Sequence, residues 1–291
     1  MDGLRIGTCS WKYPSWKGLV YEEAEPESFL AQYAQRYDSV EVDQWFWSLG
    51  KGGAALPRRE TAAEYDEATP DSFRFSVKCP NALSLTHHYA KKGQSLIPNP
   101  RFLDLDFFNR FVEALDPIVP KIGLFMFQFE YLNQAKMPGR QALLDALGPF
   151  LGGLPRELPY AVELRNPRWM DASYYDFLRE HNCAPVLTQG YWMDDAAALL
   201  ERYGVLFGPS LCLRLHGEDR EGMEAKSGED WSRIIRPKDD DIERVLVATT
   251  RLIGGGKQVY LNVNNHYEGS APLTIEKIRA RLEAMQALAL A

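Results

Sequence analysis

Five segments of the chain end in charged or amide side chains that alternate with apolar ones. The segments are 40–43, 73–78, 162–165, 211–216 and 259–264. An alternation of period two is typical of a β-strand and places the polar members on one face. We therefore predict a shared polar face that carries Glu41, Asp43, Arg74, Lys78, Glu163, Arg165, Arg214, His216, Asn262 and Asn264.

Two carboxylates in this set, Glu41 and Glu163, could act as an acid–base pair. One protonated and one ionised carboxyl are the groups used in glycoside cleavage and in proton abstraction. We expect the two three strands apart, so they could face each other across a ligand. His216 adds a group that titrates near neutral pH, and Lys78 could be a counterion or form a Schiff base. The predicted catalytic residues are Glu41, Lys78, Glu163 and His216.

The polar set also favours an anionic ligand. Four of its residues are cationic at neutral pH, whereas three are carboxylates. Arginine offers forked donors that bind phosphate or carboxylate groups in a bidentate way. Aromatic residues after the first strand could wall a pocket and stack a sugar. The predicted ligand-binding residues are Trp11, Tyr13, His87, Gln128, Arg165, Arg214, Asn264 and Asn265.

No cofactor is expected from the sequence. Of five histidines only His216 lies at a predicted strand end, so we predict no zinc cluster and no metal ligand. Mg²⁺ or Mn²⁺ held by carboxylates such as Glu41 or Glu163 is the alternative that the residue types leave open. Cys9, at the end of the first strand, is expected to be a buried structural thiol, with a nucleophilic role as the alternative.

Strand and helix signals alternate eight times along the chain. We predict strands over 4–9, 39–43, 73–78, 122–129, 160–165, 185–188, 211–215 and 258–263, each followed by a helical pattern. This count predicts an α/β protein with a (β/α)₈ barrel and its active site at the carboxyl ends of the strands. An open doubly wound sheet is disfavoured because no G-x-G-x-x-G follows the first strand. The predicted domain is a single one, residues 1–291.

Composition narrows the partners to small molecules. The formal net charge is −7 and there is no basic run, which argues against nucleic-acid binding without excluding a local basic groove. No run of about 18 apolar residues predicts a membrane span. The amino terminus lacks the regions of a signal peptide, and the four widely spaced cysteines suit free thiols in a reducing compartment. We therefore expect a cytoplasmic protein that does not bind membranes.

Seven blocks in order along almost the whole chain resemble the YecE-like family of TIM-barrel proteins of unknown function. They are Trp11-x-Tyr13-x-x-Trp16-x-Gly18, Val40-Glu41-Val42-Asp43 with Phe46, Phe75-Ser76-Val77-Lys78 with Thr86-His87, Phe127-Gln128, Ala161-Val162-Glu163-Leu164-Arg165 with Trp169, Leu213-Arg214-Leu215-His216-Gly217, and Asn264-Asn265 with Gly269 and Ala271. The chain departs from the family pattern at Asp43, Trp47, Glu130-Tyr131 and Gln189.

The resemblance implies a TIM barrel and a site but no reaction. Together with the residues it favours an enzyme, a hydrolase, lyase or isomerase, that applies acid–base chemistry to a small anionic or sugar-like ligand. One alternative is a phosphodiester- or nucleic-acid-processing enzyme like endonuclease IV, which has a similar barrel. The other is a protein that binds a small ligand without turning it over.

Overall fold

The fold is a closed barrel of eight strands, seen in a computed structural model that describes residues 2–22, 25–50, 53–91 and 93–290. The strands pair in parallel in the order β1-β8-β7-β6-β5-β4-β3-β2. Their bounds are β1 Leu4–Thr8, β2 Ser39–Val42, β3 Arg74–Lys78, β4 Ile122–Gln128, β5 Tyr160–Glu163, β6 Cys183–Gly190, β7 Ser210–Gly217 and β8 Gln258–Val263. The predicted eight-stranded α/β barrel is thus confirmed.

Helices follow the strands throughout the described chain. They are α1 Phe29–Ala34, α2 Arg59–Glu67, α3 Leu105–Ala114, α4 Arg140–Gly153, α5 Ala172–Glu180, α6 Ala196–Tyr203, α7 Arg220–Ser227, α8 Asp239–Gly254, α9 Asn265–Glu268 and α10 Ala271–Leu290. Short 3₁₀ turns cover Pro14–Trp16, Pro26–Ser28, Asn81–Leu83, Asp116–Lys121, Pro167–Trp169 and Gly204–Leu206. Leu49–Gly50 pairs antiparallel with Gly53–Ala54 in a separate two-stranded sheet.

Sequence patterns missed two helices and shortened one strand. Helix α7 lies between β7 and α8 and is additional to the one helix that is predicted after each strand. The side chain of Asp219 caps it by accepting from the amide of Gly222 at 2.8 Å, and Gly228 ends it with a φ of 59°. Helix α9 is also additional to the eight predicted helices, since four residues are too few to show a helical period. Strand β6 extends two residues beyond the predicted range 185–188 at each end.

The chain divides into two compact units. Unit 1 comprises Met1–Glu41, Leu187–Val205 and Pro209–Ala291, and unit 2 comprises Val42–Val186 and Leu206–Gly208. Each candidate residue belongs to one unit or the other. The prediction of one domain over 1–291 stays a prediction.

In unit 1, a buried tyrosine fixes the first two strands. The hydroxyl of Tyr33 accepts from the amide of Thr8 at 2.9 Å and donates to the carbonyl of Ser39 at 2.9 Å. The strands approach closely there, since a Cβ built on Gly7 would lie 1.9 Å from the carbonyl oxygen of Ser39. Only glycine fits at this position, so any substitution of Gly7 would push β1 and β2 apart.

In unit 2, aromatic side chains form the core behind the strands. Phe108 of α3 packs edge-on against Phe125 and at a tilt against Phe127, both on β4, with ring centroids 5.6 and 5.5 Å apart. Phe150 of α4 packs edge-on against Phe108 and Phe127. Asp104 begins α3 by accepting from the amide of Phe107 at 3.1 Å. Large buried rings contribute much of the packing energy of such a core and hold the strand ends in place.

No helix in the described ranges combines the length and the apolar character needed to cross a membrane.

Candidate functional site

A fully buried ion pair lies at the centre of the unit 1 cluster. The Nε and Nη2 of Arg214 donate to the two carboxylate oxygens of Glu41 at 2.7 and 2.6 Å. The two side chains are only 2% and 1% exposed. The bidentate geometry offsets much of the cost of desolvating both charges. Both carboxylate oxygens of Glu41 therefore accept hydrogen bonds from Arg214, which is fixed in orientation.

An amide on the neighbouring strand completes this pair. Asn262 lies in register with Arg214 on one side and with Gly7 on the other. Its Nδ2 is 3.5 Å from Glu41 Oε2. Its Oδ1 is buried and has no hydrogen-bond partner among the described residues. A buried acceptor without a partner is costly, which is typical of a position that a water or ligand occupies.

His216 follows Arg214 by two residues and so points to the same face of β7. Its Nε2 lies 3.7 Å from Cys9 Sγ, and its Nδ1 lies 3.2 Å from the hydroxyl of Tyr191. Cys9 and His216 are 5% and 6% exposed. The structure thus joins a thiol, an imidazole and a phenol in one chain of contacts within unit 1.

The two asparagines predicted as ligand-binding have backbone contacts. The Oδ1 of Asn264 accepts from the amide of His266 at 2.9 Å and caps α9. The Oδ1 of Asn265 accepts from the amide of Ala271 at 2.9 Å and so orients the start of α10. The Nδ2 of Asn265 is buried and has no partner within the described ranges, so this amide can still donate to a ligand.

Two aromatic residues follow β1 as predicted, and they differ in exposure. Trp11 is buried, with Lys12 Nζ 5.1 Å from its ring centroid. Tyr13 is half-buried and packs at a tilt on Trp16, with centroids 4.7 Å apart. The role of both in ligand binding stays a prediction.

Unit 2 carries a second carboxylate–guanidinium pair. Arg165 Nε donates to Glu163 Oε1 at 2.9 Å, and the two residues are neighbours on one face just at the end of β5. The side chain of Glu163 is 3% exposed and that of Arg165 is 16% exposed. Gln128 ends β4 in register with Glu163. One carboxylate and one half-buried amide therefore meet at this edge.

Lys78 and His87 lie in the same unit with different surroundings. Lys78 ends β3, is buried, and places its Nζ 4.0 Å from the ring centroid of Phe46, an arrangement that stabilises an ammonium ion. His87 is half-buried, and its Nδ1 lies 2.9 Å from the hydroxyl of Thr86. His87 therefore has a local loop contact, and its binding role is still only predicted.

Two residues predicted on the polar face lie elsewhere. Arg74 is the first residue of β3, at the opposite end from Lys78, and its Nη1 donates to the carbonyls of Asp71 and Phe73 at 2.7 and 2.8 Å. Asp43 lies past the end of β2 and is exposed. An alternating pattern fixes the face of a strand but not the depth of each side chain along it, so the pattern overcounted the site.

Gln189, where the family pattern has an aspartate, serves as a structural link. Its Oε1 accepts from the amide of Ala196 at 2.7 Å, and its Nε2 donates to Asp241 at 2.9 Å. The side chain of Asp195 caps α6 and binds Arg244. Desolvation raises the pKa of this carboxyl, but the hydrogen bonds from Arg244, the amide of Ala198 and Gln189 together outweigh it, so the pKa is lowered. The sixth strand end therefore contributes hydrogen bonds to its surroundings.

Burial shifts the pKa values of several groups near these clusters. Desolvation raises the pKa of the thiols of Cys79 and Cys183 well above the ordinary value. The pKa of His266 is lowered, because desolvation outweighs the attraction of Glu224, whose Oε1 is 3.1 Å from Nε2. Burial therefore favours the neutral thiol form of Cys79 and Cys183.

The residues that the structure describes include no group of three or more histidine, cysteine or acidic side chains placed to hold a metal ion.

Sequence reasoning named His216 but did not foresee the partner of its ring. Tyr191 has a φ of 53°, and its amide donates to the carbonyl of Gly217 at 2.9 Å. Gly190 before it has a φ of 130°. The Gly-Tyr step directly after a buried strand was the available signal, since a glycine there allows a sharp change of direction.

The fold and these clusters define a TIM-barrel protein with polar groups at the carboxyl ends of its strands. A family model described as "Protein of unknown function DUF72" matches residues 5–290, so the chain belongs to that family. The predicted YecE-like resemblance is confirmed by a relative from Escherichia coli K12, UPF0759 protein YecE. It is 30% identical over 166 residues, which are 57% of this chain and 50% of that protein.

Solved structures of DUF72 proteins share the fold. A DUF72 family protein from Enterococcus faecalis V583 superposes with a TM-score of 0.66 at 18% identity, covering 94% of both chains. One from Thermotoga maritima MSB8 has a TM-score of 0.65 at 22% identity and covers 96% of this chain and 99% of its own. At these identities the likeness shows the barrel alone.

Proposed function

We propose that this chain is an enzyme that applies acid–base chemistry to a small anionic ligand, phosphate- or carboxylate-bearing or sugar-like. The observation that carries the proposal is the Glu163–Arg165 pair of unit 2. A carboxylate that is almost fully buried shares one of its oxygens with a guanidinium that remains 16% exposed. A buried carboxylate in a cleft is a common general base, and the guanidinium beside it favours its ionised form.

The cations of the same cluster supply the affinity for an anion. The predicted site residues of unit 2 include two cations, Lys78 and Arg165, and one carboxylate, Glu163. In unit 1 the charge of Arg214 is matched by Glu41 through two hydrogen bonds. The predicted excess of positive charge therefore comes from Lys78 and Arg165. Both groups can donate hydrogen bonds to phosphate or carboxylate oxygens.

Glu41 has a different role in this proposal from the one that its sequence suggested. Both of its oxygens are committed to Arg214, so protonating it would break a buried ion pair. Glu163 is therefore the proposed base of unit 2. Glu41 is proposed to hold Arg214 in place.

The first experiment measures binding of inorganic phosphate by calorimetry at constant ionic strength. Lys78→Met and Arg165→Gln should each weaken binding by about tenfold or more, since each removes a charge-assisted hydrogen bond. Glu163→Gln should bind phosphate as well as or better than the original chain, because a negative charge is lost. Arg110→Gln, on the exposed face of α3, is the matched control and should leave phosphate binding unchanged. Unaltered binding in both cationic variants would refute the anion site.

The second experiment looks for turnover. Small molecules that copurify with the protein, and a panel of phosphorylated and carboxylated metabolites, would be followed by mass spectrometry. Glu163→Gln should reduce consumption of any substrate by about 100-fold or more, as expected for loss of a general base. Retention of a ligand without any turnover would favour a binding protein. No resident cofactor is proposed, so EDTA should leave turnover intact. A requirement for Mg²⁺, Mn²⁺ or Zn²⁺, or cleavage of DNA, would favour an endonuclease-like enzyme.

A further inference from the structure

We propose that unit 1 carries a nucleophilic site of its own, in which Cys9 attacks an acyl group and His216 is its base. This inference goes beyond the proposed function and does not depend on it. Cys9 Sγ faces His216 Nε2 at 3.7 Å. Nucleophilic cysteines are activated by an adjacent imidazole that accepts the thiol proton. A separation of 3.7 Å between Sγ and Nε2 is within the range of a hydrogen bond that involves sulfur.

Tyr191 is placed to position this base. Its hydroxyl is 3.2 Å from His216 Nδ1, so the phenol oxygen can accept from Nδ1–H. That hydrogen bond leaves the lone pair on Nε2, which is the nitrogen that faces the thiol. A base oriented by a third group is the arrangement found in hydrolases that use a nucleophilic side chain.

The backbone that presents Tyr191 is unusual. Tyr191 adopts a φ of 53°, in the left-handed region that is costly for a bulky residue. The glycines on either side of the contact, Gly190 and Gly217, have φ of 130° and 80°. A Cβ built on Gly190 would lie 2.1 Å from the carbonyl oxygen of Gly217. The chain is thus closely packed at the point where the phenol meets the imidazole.

Two buried amide groups on and beyond β8 point to a ligand, independently of the cysteine. Within the described chain, Asn262 Oδ1 accepts no hydrogen bond and Asn265 Nδ2 donates none. The two residues are 0% and 2% exposed. Strand β1 pairs with β8, and the amide of Cys9 donates to the carbonyl of Val263 at 3.0 Å. Asn262 directly precedes Val263, whose carbonyl accepts from Cys9, and Asn265 follows it by two positions.

Asn265 is suited to stabilise an oxyanion. Its Oδ1 is fixed by the amide of Ala271, which leaves the Nδ2 as the donor without a partner. Amide donors that await a developing negative charge are the usual device of acyl-transfer enzymes. This is the reason for assigning the substrate as an ester, thioester or other activated acyl group.

The reaction balances without any further reagent than water. His216 Nε2 takes the proton of the Cys9 thiol while the sulfur adds to the acyl carbon. The bond from that carbon to the leaving heteroatom then breaks, and the heteroatom departs with the electron pair and takes the proton from His216. Water, deprotonated by His216, attacks the thioester carbon, and the sulfur leaves with its electron pair and is protonated again.

The first test measures alkylation by iodoacetamide at each cysteine, mapped by peptide mass spectrometry across pH. Cys79, Cys183 and Cys212 are internal controls, since they are 1%, 2% and 0% exposed and should react only in denaturant. Cys9 should react in the folded protein with an inflection below the value of about 8.5 for a free thiol. His216→Gln should move that inflection upward and slow the reaction at pH 7 on the order of tenfold.

Tyr191→Phe tests the positioning role. It removes only the hydroxyl, so the imidazole should titrate differently and the inflection of Cys9 alkylation should shift, with a smaller loss of rate than in His216→Gln. Tyr65→Phe is the matched control, because it removes a phenol that donates to Gln44 at 2.7 Å. That variant should leave the alkylation profile of Cys9 as it is.

The second test uses p-nitrophenyl acetate. The folded protein should release a burst of one equivalent of p-nitrophenolate and gain one acetyl group on Cys9, and Asn265→Ala should slow the burst on the order of 100-fold. An unreactive Cys9 in the original chain, an inflection that His216→Gln does not move, or acetylation on another residue would each overturn the proposal. None of these readouts involves phosphate binding, so this inference and the proposed function fail separately.

Discussion

The two carboxylate–guanidinium pairs differ in how far apart their members lie in sequence and in how deeply they are buried. Glu41 and Arg214 are 173 positions apart, share two hydrogen bonds and are at most 2% exposed. Glu163 and Arg165 are two positions apart, share a hydrogen bond of 2.9 Å, and leave the guanidinium 16% exposed. A long-range pair can form only in the folded barrel, whereas a local pair can form as soon as one strand has formed.

The difference teaches which pair can do chemistry. Both oxygens of Glu41 are used, so its charge is committed to structure. Glu163 binds a guanidinium that water can still reach, since the side chain of Arg165 is 16% exposed. Buried charges that are fully satisfied rigidify a fold, while partly exposed ones can exchange partners with a ligand. We therefore expect the first pair to govern stability and the second to govern activity.

The largest effect on stability is expected from Glu41→Gln. The change leaves Arg214 charged and buried without its counterion, which should lower the free energy of unfolding by about 3–5 kcal/mol. Urea denaturation followed by circular dichroism measures this as a shift of the midpoint. A loss below about 1 kcal/mol would show that the pair is worth no more than a surface one.

Replacing both members should recover much of that loss. In Glu41→Met with Arg214→Met, two side chains of similar volume remove both charges, and such replacements are often neutral or stabilising. The double variant should therefore be more stable than Glu41→Gln by about 2 kcal/mol or more. A double variant as unstable as the single one would mean that the shape of the pair, and not its charge, holds the strands.

Glu163→Gln should have a smaller effect on stability and a larger one on function. It replaces a charge-assisted hydrogen bond by a neutral one, at a cost of about 1–3 kcal/mol. The protein should stay folded, as shown by its near-ultraviolet circular dichroism, while turnover of the identified substrate is lost. If this variant unfolds as readily as Glu41→Gln, the contrast between the two pairs fails.

The smallest effect is expected at an exposed pair that serves as the baseline. Arg59 Nη2 lies 2.7 Å from Asp116 Oδ2, with side chains that are 58% and 64% exposed. Asp116→Asn should change the free energy of unfolding by less than about 1 kcal/mol, and high salt should abolish the difference. A salt-independent loss as large as that of Glu163→Gln would remove exposure as the explanation of the ranking.

Much of the barrel can be predicted from local sequence patterns. The strand over 258–263 was predicted with the bounds that the structure has, because Val259, Leu261 and Val263 alternate with polar residues and a glycine run precedes them. Where local signals were short or mixed, prediction failed, as for α9 with its four residues and for the depth of Arg74 on β3.

The sequence by itself determined the class of fold, the family and the residue types at the strand ends, because period-two patterns and block order are properties of the chain. Only the tertiary structure decided which of those residues meet. It joined Glu41 to Arg214 and Cys9 to His216 across 173 and 207 positions. Contacts over such separations follow from barrel closure and strand register, and no local pattern encodes them.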